Sequence, residues 1–300
     1  MNISLNKKPL ISVVIPTYNH AHLIEKCLQS VIDQTYTNWE AIVVNNFSKD
    51  NTIDVVEGFN DPRIRLINFN NNGIIAASRN QGIRNSNGEF IAFLDSDDWW
   101  YKDKLKVVSY YLDRYDVVFH NLEMHGQKGK KRTRKIKGRE LRSPVFVDLM
   151  INGNALANSS VVVKRSLIDK AGLLDESPML RTVEDFDLWL RVSMLTEKFK
   201  FIDKDLGAYW FGGGNSTELS EAGIKKQEYV YGKYANLLTE DQKKQTELLK
   251  KYIIGRIKQK MGVFREARAL FLKSFKINNF KIKIKALFFY IVCLFKLKDI

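Results

Sequence analysis

Phe90–Ile91–Ala92–Phe93–Leu94 runs directly into Asp95–Ser96–Asp97–Asp98. Five successive apolar residues with no polar alternation describe a strand buried on both faces. The three carboxylates after it have no place in an apolar core, where each unpaired charge costs several kcal/mol. They belong at a rim. In open α/β sheets the rim at the carboxyl ends of the strands is the ligand-binding edge. Oxygen ligands packed this closely suit a hard cation such as Mg2+ or Mn2+, commonly shared with the phosphates of a nucleotide.

Working outward, the first hundred residues alternate strand and helix. Leu10–Ile15 is a buried strand, and Ala21–Asp33 a helix with Ile24, Leu28, Val31 and Ile32 on one stripe. Asn19 stands where an N-cap belongs. Strands follow at Glu40–Val44 and Ile64–Ile67, and helices at Asp50–Phe59 and Ala76–Asn85. This β-α-β-α-β-α-β order specifies a mostly parallel, Rossmann-like α/β sheet with helices on its faces. Beyond it the pattern gives a helix at Lys102–Tyr115, strands at Asp116–Leu122 and Val161–Lys164, and a helix at Glu184–Thr196. Two short strands fit Phe199–Ile202 and Leu206–Trp210. From Glu221 the chain is helical and basic, so a domain boundary is placed near Ser220, dividing 1–220 from 221–300.

The 300 residues are 45% hydrophobic and 12% aromatic, ample for a packed core and contrary to global disorder. Cys27 and Cys293, far apart, build neither a disulfide framework nor a CxxC zinc site, and a reducing cytosolic compartment is expected. The longest apolar run, Ala286–Phe295, is too short for a membrane span, and no secretory leader is expected at the N-terminus. The net charge of +14 is unevenly placed. Lys243–Ile300 has 16 basic against 3 acidic residues and Gln127–Arg142 has 9 against 1, leaving the remainder at −7. An acidic body with basic appendages points to an anionic surface as partner. No aromatic residue interleaves Gln127–Arg142, so a base-stacking platform, and with it nucleic acid, is not expected; a solvated loop or exposed hairpin is. In the tail, Lys281, Lys283 and Lys285 preceding Ala286–Val292 suggest a helix in a membrane interface, or else a helical lid with solvated lysines.

Several strings occur in a telling order: Pro16–Thr17–Tyr18–Asn19 after the first strand; Ser30–Val31–Ile32–Asp33–Gln34–Thr35–Tyr36 ahead of Trp39–Glu40; Ser78–Arg79–Asn80–Gln81–Gly82–Ile83; Gly88–Glu89–Phe90 leading to the acidic turn; and Glu184–Asp185–Phe186–Asp187–Leu188–Trp189–Leu190–Arg191. Together, over Leu10–Thr217, they resemble the family 2 glycosyltransferases of bacterial polysaccharide biosynthesis. The resemblance implies a GT-A fold and inverting, metal-dependent transfer of a hexosyl group. The donor would be a nucleotide-diphospho-sugar, foremost a UDP-sugar, and the acceptor a saccharide or lipid-linked hydroxyl. It implies Asp95 and Asp97 as the DxD pair, with Asp97 ligating Mg2+ or Mn2+ and Asp95 contacting ribose or a metal-bound water. Pro16, Tyr18, Asn19, Asn46, Arg79 and Ser96 would line the donor, Asp185 would be the general base, and Glu184, Trp189 and Trp99 would stand at the acceptor or behind the residues that touch it. It also implies a peripheral position on the cytoplasmic face of the inner membrane. The QxxRW-type signature of processive members is absent, which implies one sugar per encounter.

Each residue has a plainer reading. Asp98 is placed to cap the next helix, and Thr182 with Asp185 to form a capping box. Arg79 is placed either for a phosphate or for a sheet-edge acid. Family members commonly carry two aspartates and a glycine after the second strand; here Asn45–Asn46–Phe47 stands instead, so Asn46 either reads the base or is an ordinary turn residue. The histidine that often completes the metal site is lacking, since none follows His125. Gly212–Asn215 is either a segment closing over a diphosphate or a turn between domains. A nucleotidyltransferase shares the sheet and acidic turn but usually has a glycine-rich signature after the first strand, where this chain has Pro16–Asn19. A non-catalytic membrane- or nucleic-acid-binding module rests on charge alone and gives Asp95, Asp97 and Asp185 no task.

Overall fold

The structure, a computed structural model, describes residues 8–126, 131–212 and 219–296. It divides into two compact units, one of Met1–Leu141, Ala155–Glu176 and Arg191–Asn215, the other of Arg142–Asn154, Ser177–Leu190 and Ser216–Ile300. The second unit therefore gathers two earlier stretches of chain with the C-terminal helices.

The elements in chain order are β1 (Ile11–Thr17), α1 (Ala21–Ile32), β2 (Trp39–Asn45), α2 (Thr52–Glu57), β3 (Ile64–Asn68), α3 (Ile75–Arg84), β4 (Phe90–Phe93), β5 (Trp99–Trp100), α4 (Lys104–Ser109), β6 (Val117–Gly126) and β7 (Lys131–Ile136). There follow α5 (Val145–Asn152), β8 (Val162–Lys164), α6 (Arg165–Ala171), α7 (Glu184–Ser193), β9 (Phe199–Phe211), α8 (Glu221–Lys233), α9 (Glu240–Lys260), α10 (Phe264–Ser274) and α11 (Phe280–Lys296).

All the strands belong to the first unit and form one nine-stranded sheet, ordered β3-β2-β1-β4-β8-β6-β9-β5 with β7 beside β6. β1 pairs parallel with β2 and β4, and β2 with β3, as the β-α alternation predicts. β8 then enters antiparallel between β4 and β6, so the far half is mixed. β1 is buried along its whole length because strands flank it on both sides. Ile24, Cys27, Leu28 and Val31 of α1 pack with Ile11, Val13, Ile15, Phe90, Ala92 and Leu94, each such burial contributing about 1.5–3 kcal/mol for a large side chain. α3 lies so close to β1 that a Cβ on Gly82 would fall 2.5 Å from Val14 Cγ1. Glycine is what permits that approach.

Several sequence-based boundaries are corrected. Asn19 does not cap α1; His20 precedes the helix, without a side-chain cap. The long helix expected from Lys102 is only α4, after which i to i+3 bonds such as Tyr111 to Val108 and Leu112 to Ser109 continue as turns. The two strands expected after residue 199 are one strand, β9. Its polar Asp203–Lys204–Asp205 sits where the ladder with β6 shifts register, so the break in apolar pattern marks a bulge and not a strand end. β5, α5 and α6 were not anticipated. The apolar, β-branched run of α5 carries no period that separates helix from strand. The basic segment contributes β7, paired antiparallel with β6, which is the hairpin alternative; its residues 127–130 lie outside the described residues, as do residues 213–215 of the Gly212–Asn215 turn.

In the second unit, Thr239 and Gln242 form a capping box at the start of α9. Ala267, Phe271, Ala286 and Cys293 make the centre of the α10–α11 packing, with Tyr252, Phe289 and Tyr290 against it.

One core feature of the first unit runs against ordinary burial rules. Lys104 is fully buried, its Nζ has no hydrogen-bond partner, and it lies 3.5 Å from the Trp100 ring centroid. Burial pushes its pKa well below the ordinary 10.5. Burial, then the neighbouring Lys104, pushes His120 down to about 3, against its bond to the Asn121 carbonyl. Both groups bind fewer protons folded than unfolded, so each makes stability rise with pH below its unfolded pKa. Lys104→Met is therefore expected to raise the neutral-pH unfolding free energy by about 1–2 kcal/mol and to flatten the gain in stability between neutrality and pH 10.5. Urea titrations across that range check it, and an unchanged slope refutes a lowered Lys104 pKa.

Candidate active site

Asp95–Asp98 forms the turn between β4 and β5, closed by the Asp98 N–H donating to the Asp95 carbonyl at 2.9 Å. Both ends are fixed by the sheet, β4 between β1 and β8 and β5 against β9. Asp95 Oδ1 accepts from Arg79 Nη2 at 2.7 Å and from Asn158 Nδ2 at 3.2 Å, while the Asp95 N–H donates to Ser159 Oγ at 3.1 Å. Asp98 is buried and accepts from the Trp210 N–H at 2.9 Å, so it does not cap α4. Buried Ser96 places its Oγ 2.8 Å from His20 Nδ1.

The electrostatics separate the three acids. Burial, then the charges of Asp97 and Asp95, pushes Asp98 well above the carboxylate range, against the hydroxyl of Ser159 and the amide of Trp210. Burial and the charge of Asp95 push Asp97 up to about 7, with the Arg79 charge opposing. Among the described residues no cationic side chain pairs with Asp97, and Arg79 is engaged with Asp95. A carboxylate lifted this far without a partner fits a cation that the chain itself does not supply. Among the described residues no group of three His, Cys, Asp or Glu side chains is arranged to hold a metal alone. Asp95 and Asp97 are thus a partial donor set, suited to a hard cation whose other oxygens come from a ligand.

Around this turn lie the loops that follow β1 and β2. Pro16 is buried in β1, and Tyr18 is exposed. Asn19, at φ 52°, accepts from the Lys49 N–H at 2.7 Å and donates its own N–H to Ser48 Oγ at 2.8 Å. Asn45 donates to Asn68 Oδ1 and accepts from the Ser48 N–H and hydroxyl. Asn46 Oδ1 accepts from the Asn71 N–H at 3.0 Å. Trp99 is covered by Lys26 Nζ, 3.2 Å from the ring centroid, with His125 edge-on at 5.0 Å. It borders a cleft of about 430 Å³ that includes His22, Glu25, Gln29 and Asp33. Arg79 thus takes the sheet-edge-acid alternative. His20, Asn158 and Ser159 were missed; they carry no motif, and Asn158 and Ser159 lie 63 and 64 residues from the Asp95 they hold.

Glu184, Asp185 and Trp189 belong to the second unit, at the start of α7. Asp185 Oδ1 accepts from the Phe186 N–H at 2.7 Å, and Glu184 is buried. Trp189 is fully buried, so of its two expected places, at the acceptor or behind the residues that touch it, the ring has no exposed surface for the first. Asp187, two residues past Asp185 and fully buried, accepts from Lys233 Nζ at 2.8 Å and the Tyr234 hydroxyl at 2.7 Å. That pair ties the first turn of α7 to the end of α8.

The glycosyl transferase family 2 model matches residues 12–168. The chain belongs to that family. TuaG of Bacillus subtilis, named as a glycosyltransferase of teichuronic acid biosynthesis, is 31% identical over 75% of this chain and 88% of its own length. The Escherichia coli UDP-Glc:α-D-GlcNAc-diphosphoundecaprenol β-1,3-glucosyltransferase WfgD is 37% identical over 37% of this chain and 48% of that protein. The fold is shared with S. aureus TarS 1–349 solved with UDP-GlcNAc (TM-score 0.63, 21% identity, 94% of this chain and 81% of that one). It is shared also with the mannosyltransferase PcManGT from Pyrobaculum calidifontis solved with GDP-Man and Mn2+ (TM-score 0.61, 15% identity, 96% and 81%). This family 2 glycosyltransferase therefore has the expected GT-A-type α/β architecture with a helical C-terminal extension.

Two variants test the geometry. Arg79→Met strips Asp95 of its ion-pair partner and is expected to cost about 2 kcal/mol, the partial exposure of Asp95 moderating the loss. A urea midpoint equal to wild type would refute the pair. Asp187→Ala leaves Lys233 and Tyr234 without this acceptor and is expected to cost about 3 kcal/mol, whereas Asp185→Ala, at a half-buried site, should cost under about 1 kcal/mol. Equal losses at the two positions contradict this assignment.

Proposed function

We propose that this glycosyltransferase transfers a sugar from a nucleotide-diphospho-sugar, a UDP-sugar, to a hydroxyl acceptor with inversion and with a divalent cation, Mg2+ or Mn2+. The observation that carries the reading is Asp97, a carboxylate with no ion pair among the described residues, beside Asp95 at the carboxyl end of β4. Residues 1–220 are assigned as catalytic domain and 221–300 as basic helical extension. The pathway assigned is cell-surface polysaccharide or glycolipid synthesis, with a saccharide or lipid-linked acceptor and a peripheral position at the cytoplasmic face of the inner membrane. Support comes from the names of TuaG and WfgD, the second including a diphosphoundecaprenol acceptor, and from the nucleotide-sugars in TarS and PcManGT. No helix among the described residues is long and apolar enough to cross a membrane.

In this reading Asp97 and Asp95 hold the cation. When bound, the ion neutralises charge on the departing diphosphate. Arg79 orients Asp95, Ser96 is held by His20, and the cross-linked loops bearing Pro16, Tyr18, Asn19 and Asn46 receive the nucleoside. Asp185 accepts the proton of the acceptor hydroxyl as its oxygen bonds to the anomeric carbon and the bond to the diphosphate breaks. One displacement inverts that carbon. Asp185 is half-buried at a helix start, where N–H groups favour the ionised carboxylate that a base requires. Glu184 lies beside it, and Trp99 serves as packing behind the acidic turn.

The test uses the full chain with UDP-GlcNAc or UDP-glucose and Mn2+. Asp185→Asn should keep donor affinity by calorimetry while turnover falls on the order of 10²–10⁴-fold. Asp97→Ala should abolish the Mn2+-dependent part of donor binding. Wild-type turnover in either variant, or a wild type that binds neither donor, overturns the reading.

A further inference from the structure

α11 carries two apolar faces, and among the described residues only one is covered. Ile282, Ala286 and Cys293 are buried, with Ala286 and Cys293 in the packing against α10. Phe280, Ile284, Leu287, Phe288, Ile291 and Phe295 are instead 42–71% exposed. At 100° per residue these six fall within an arc of roughly 100°, one continuous stripe along the helix. Lys281 and Lys285 border it on one side and Lys283 on the other, all exposed. Scattered surface apolar residues are ordinary, but a stripe of six, three of them phenylalanine, marks an interaction surface.

We propose that this face of α11 docks the protein on an anionic lipid bilayer, the helix lying in the plane of the surface. Charge chooses the occupant. The stripe is rimmed by lysine within a segment carrying 16 basic against 3 acidic residues, so a second copy would bring like charge to like. A bilayer with anionic headgroups takes the apolar stripe among its acyl chains and the lysines among its phosphates. The helix has 17 residues, about 26 Å at 1.5 Å per residue, with charges within its first two turns, and so lies along an interface instead of crossing it. The inference deepens the peripheral-membrane part of the reading above and draws nothing from the sugar chemistry.

The full chain is sedimented with phosphatidylglycerol–phosphatidylcholine vesicles and with phosphatidylcholine alone, and its oligomeric state is measured by analytical ultracentrifugation. Wild type should bind the anionic vesicles and leave the neutral ones. Phe288→Gln with Ile291→Gln should weaken partition roughly a hundredfold at any salt. Lys281→Gln, Lys283→Gln and Lys285→Gln together should weaken it on the order of a hundredfold at low salt and far less at high salt. Both variants replace exposed side chains, should keep the wild-type circular dichroism, and should turn over donor in vesicle-free buffer like wild type. Wild type that ignores anionic vesicles overturns the proposal. So does a Phe288/Ile291 variant that binds lipid unchanged, including one that merely dissociates a wild-type dimer. Lipid binding as expected in a protein that turns over no nucleotide-sugar leaves the docking face standing and removes the enzymatic reading.

Discussion

Three carboxylates within four residues, at the end of a strand the core buries, repel one another, and the first unit disposes of each charge differently. Asp95 is paired with Arg79, itself buried on α3. Asp98 is enclosed and pushed towards its neutral form, with the Trp210 amide as donor. Asp97 has no ion-pair partner among the described residues and is only half-buried; burial first, then the Asp95 charge, lifts its pKa to about 7. Had Arg79 lain between all three, the charges would be compensated within the protein.

Holding such a turn requires a backbone that does not relax. β4 and β5 clamp its ends, Ser159 and Asn158 reach in from β8's side of the sheet, and His20 fixes Ser96. The neighbouring loops are tied to one another through Asn19, Ser48, Asn45 and Asn68. Asn19 and Phe47 accept left-handed backbone at φ 52° and 50°, costing on the order of 1–2 kcal/mol each for residues with a Cβ. Strain of that size persists where surrounding bonds over-determine the conformation, as the Asn19–Lys49 and Asn19–Ser48 bonds do here.

What the sequence made legible follows the range of its signals. Buried parallel strands need unbroken apolar runs, so β1, β2 and β4 were found within a residue or two, as was the half-exposed β3 despite Arg65 within it, and the acidic turn was found because its composition conflicts with the strand before it. Lone short elements failed: β5 has two residues, and α5 has an apolar run that suits either period. β9 was cut in two because Asp203–Lys204–Asp205 resembles a loop until its register shift against β6 is known. At the site, the acids and Arg79 were visible as residue types, while Asn158, Ser159 and His20 act through distant pairing that no local spacing encodes. Trp189 was visible as a motif aromatic, but which way it faces was not; its helix position turns it wholly inward.

The amides at 45 and 46 are better understood through what each already bonds. Asn45 donates to Asn68 Oδ1 and accepts twice from Ser48, using both ends of the side chain. An ionised aspartate in the same rotamer could accept from Ser48 but would set a carboxylate oxygen against the Asn68 carbonyl, so this loop as built calls for the amide. Asn46 engages its oxygen with the Asn71 N–H, so this loop uses that amide as an acceptor too. Amides at 45 and 46 also spare the rim further negative charge beyond Asp95–Asp98, where burial and the Asp95 charge already lift Asp97 to about 7.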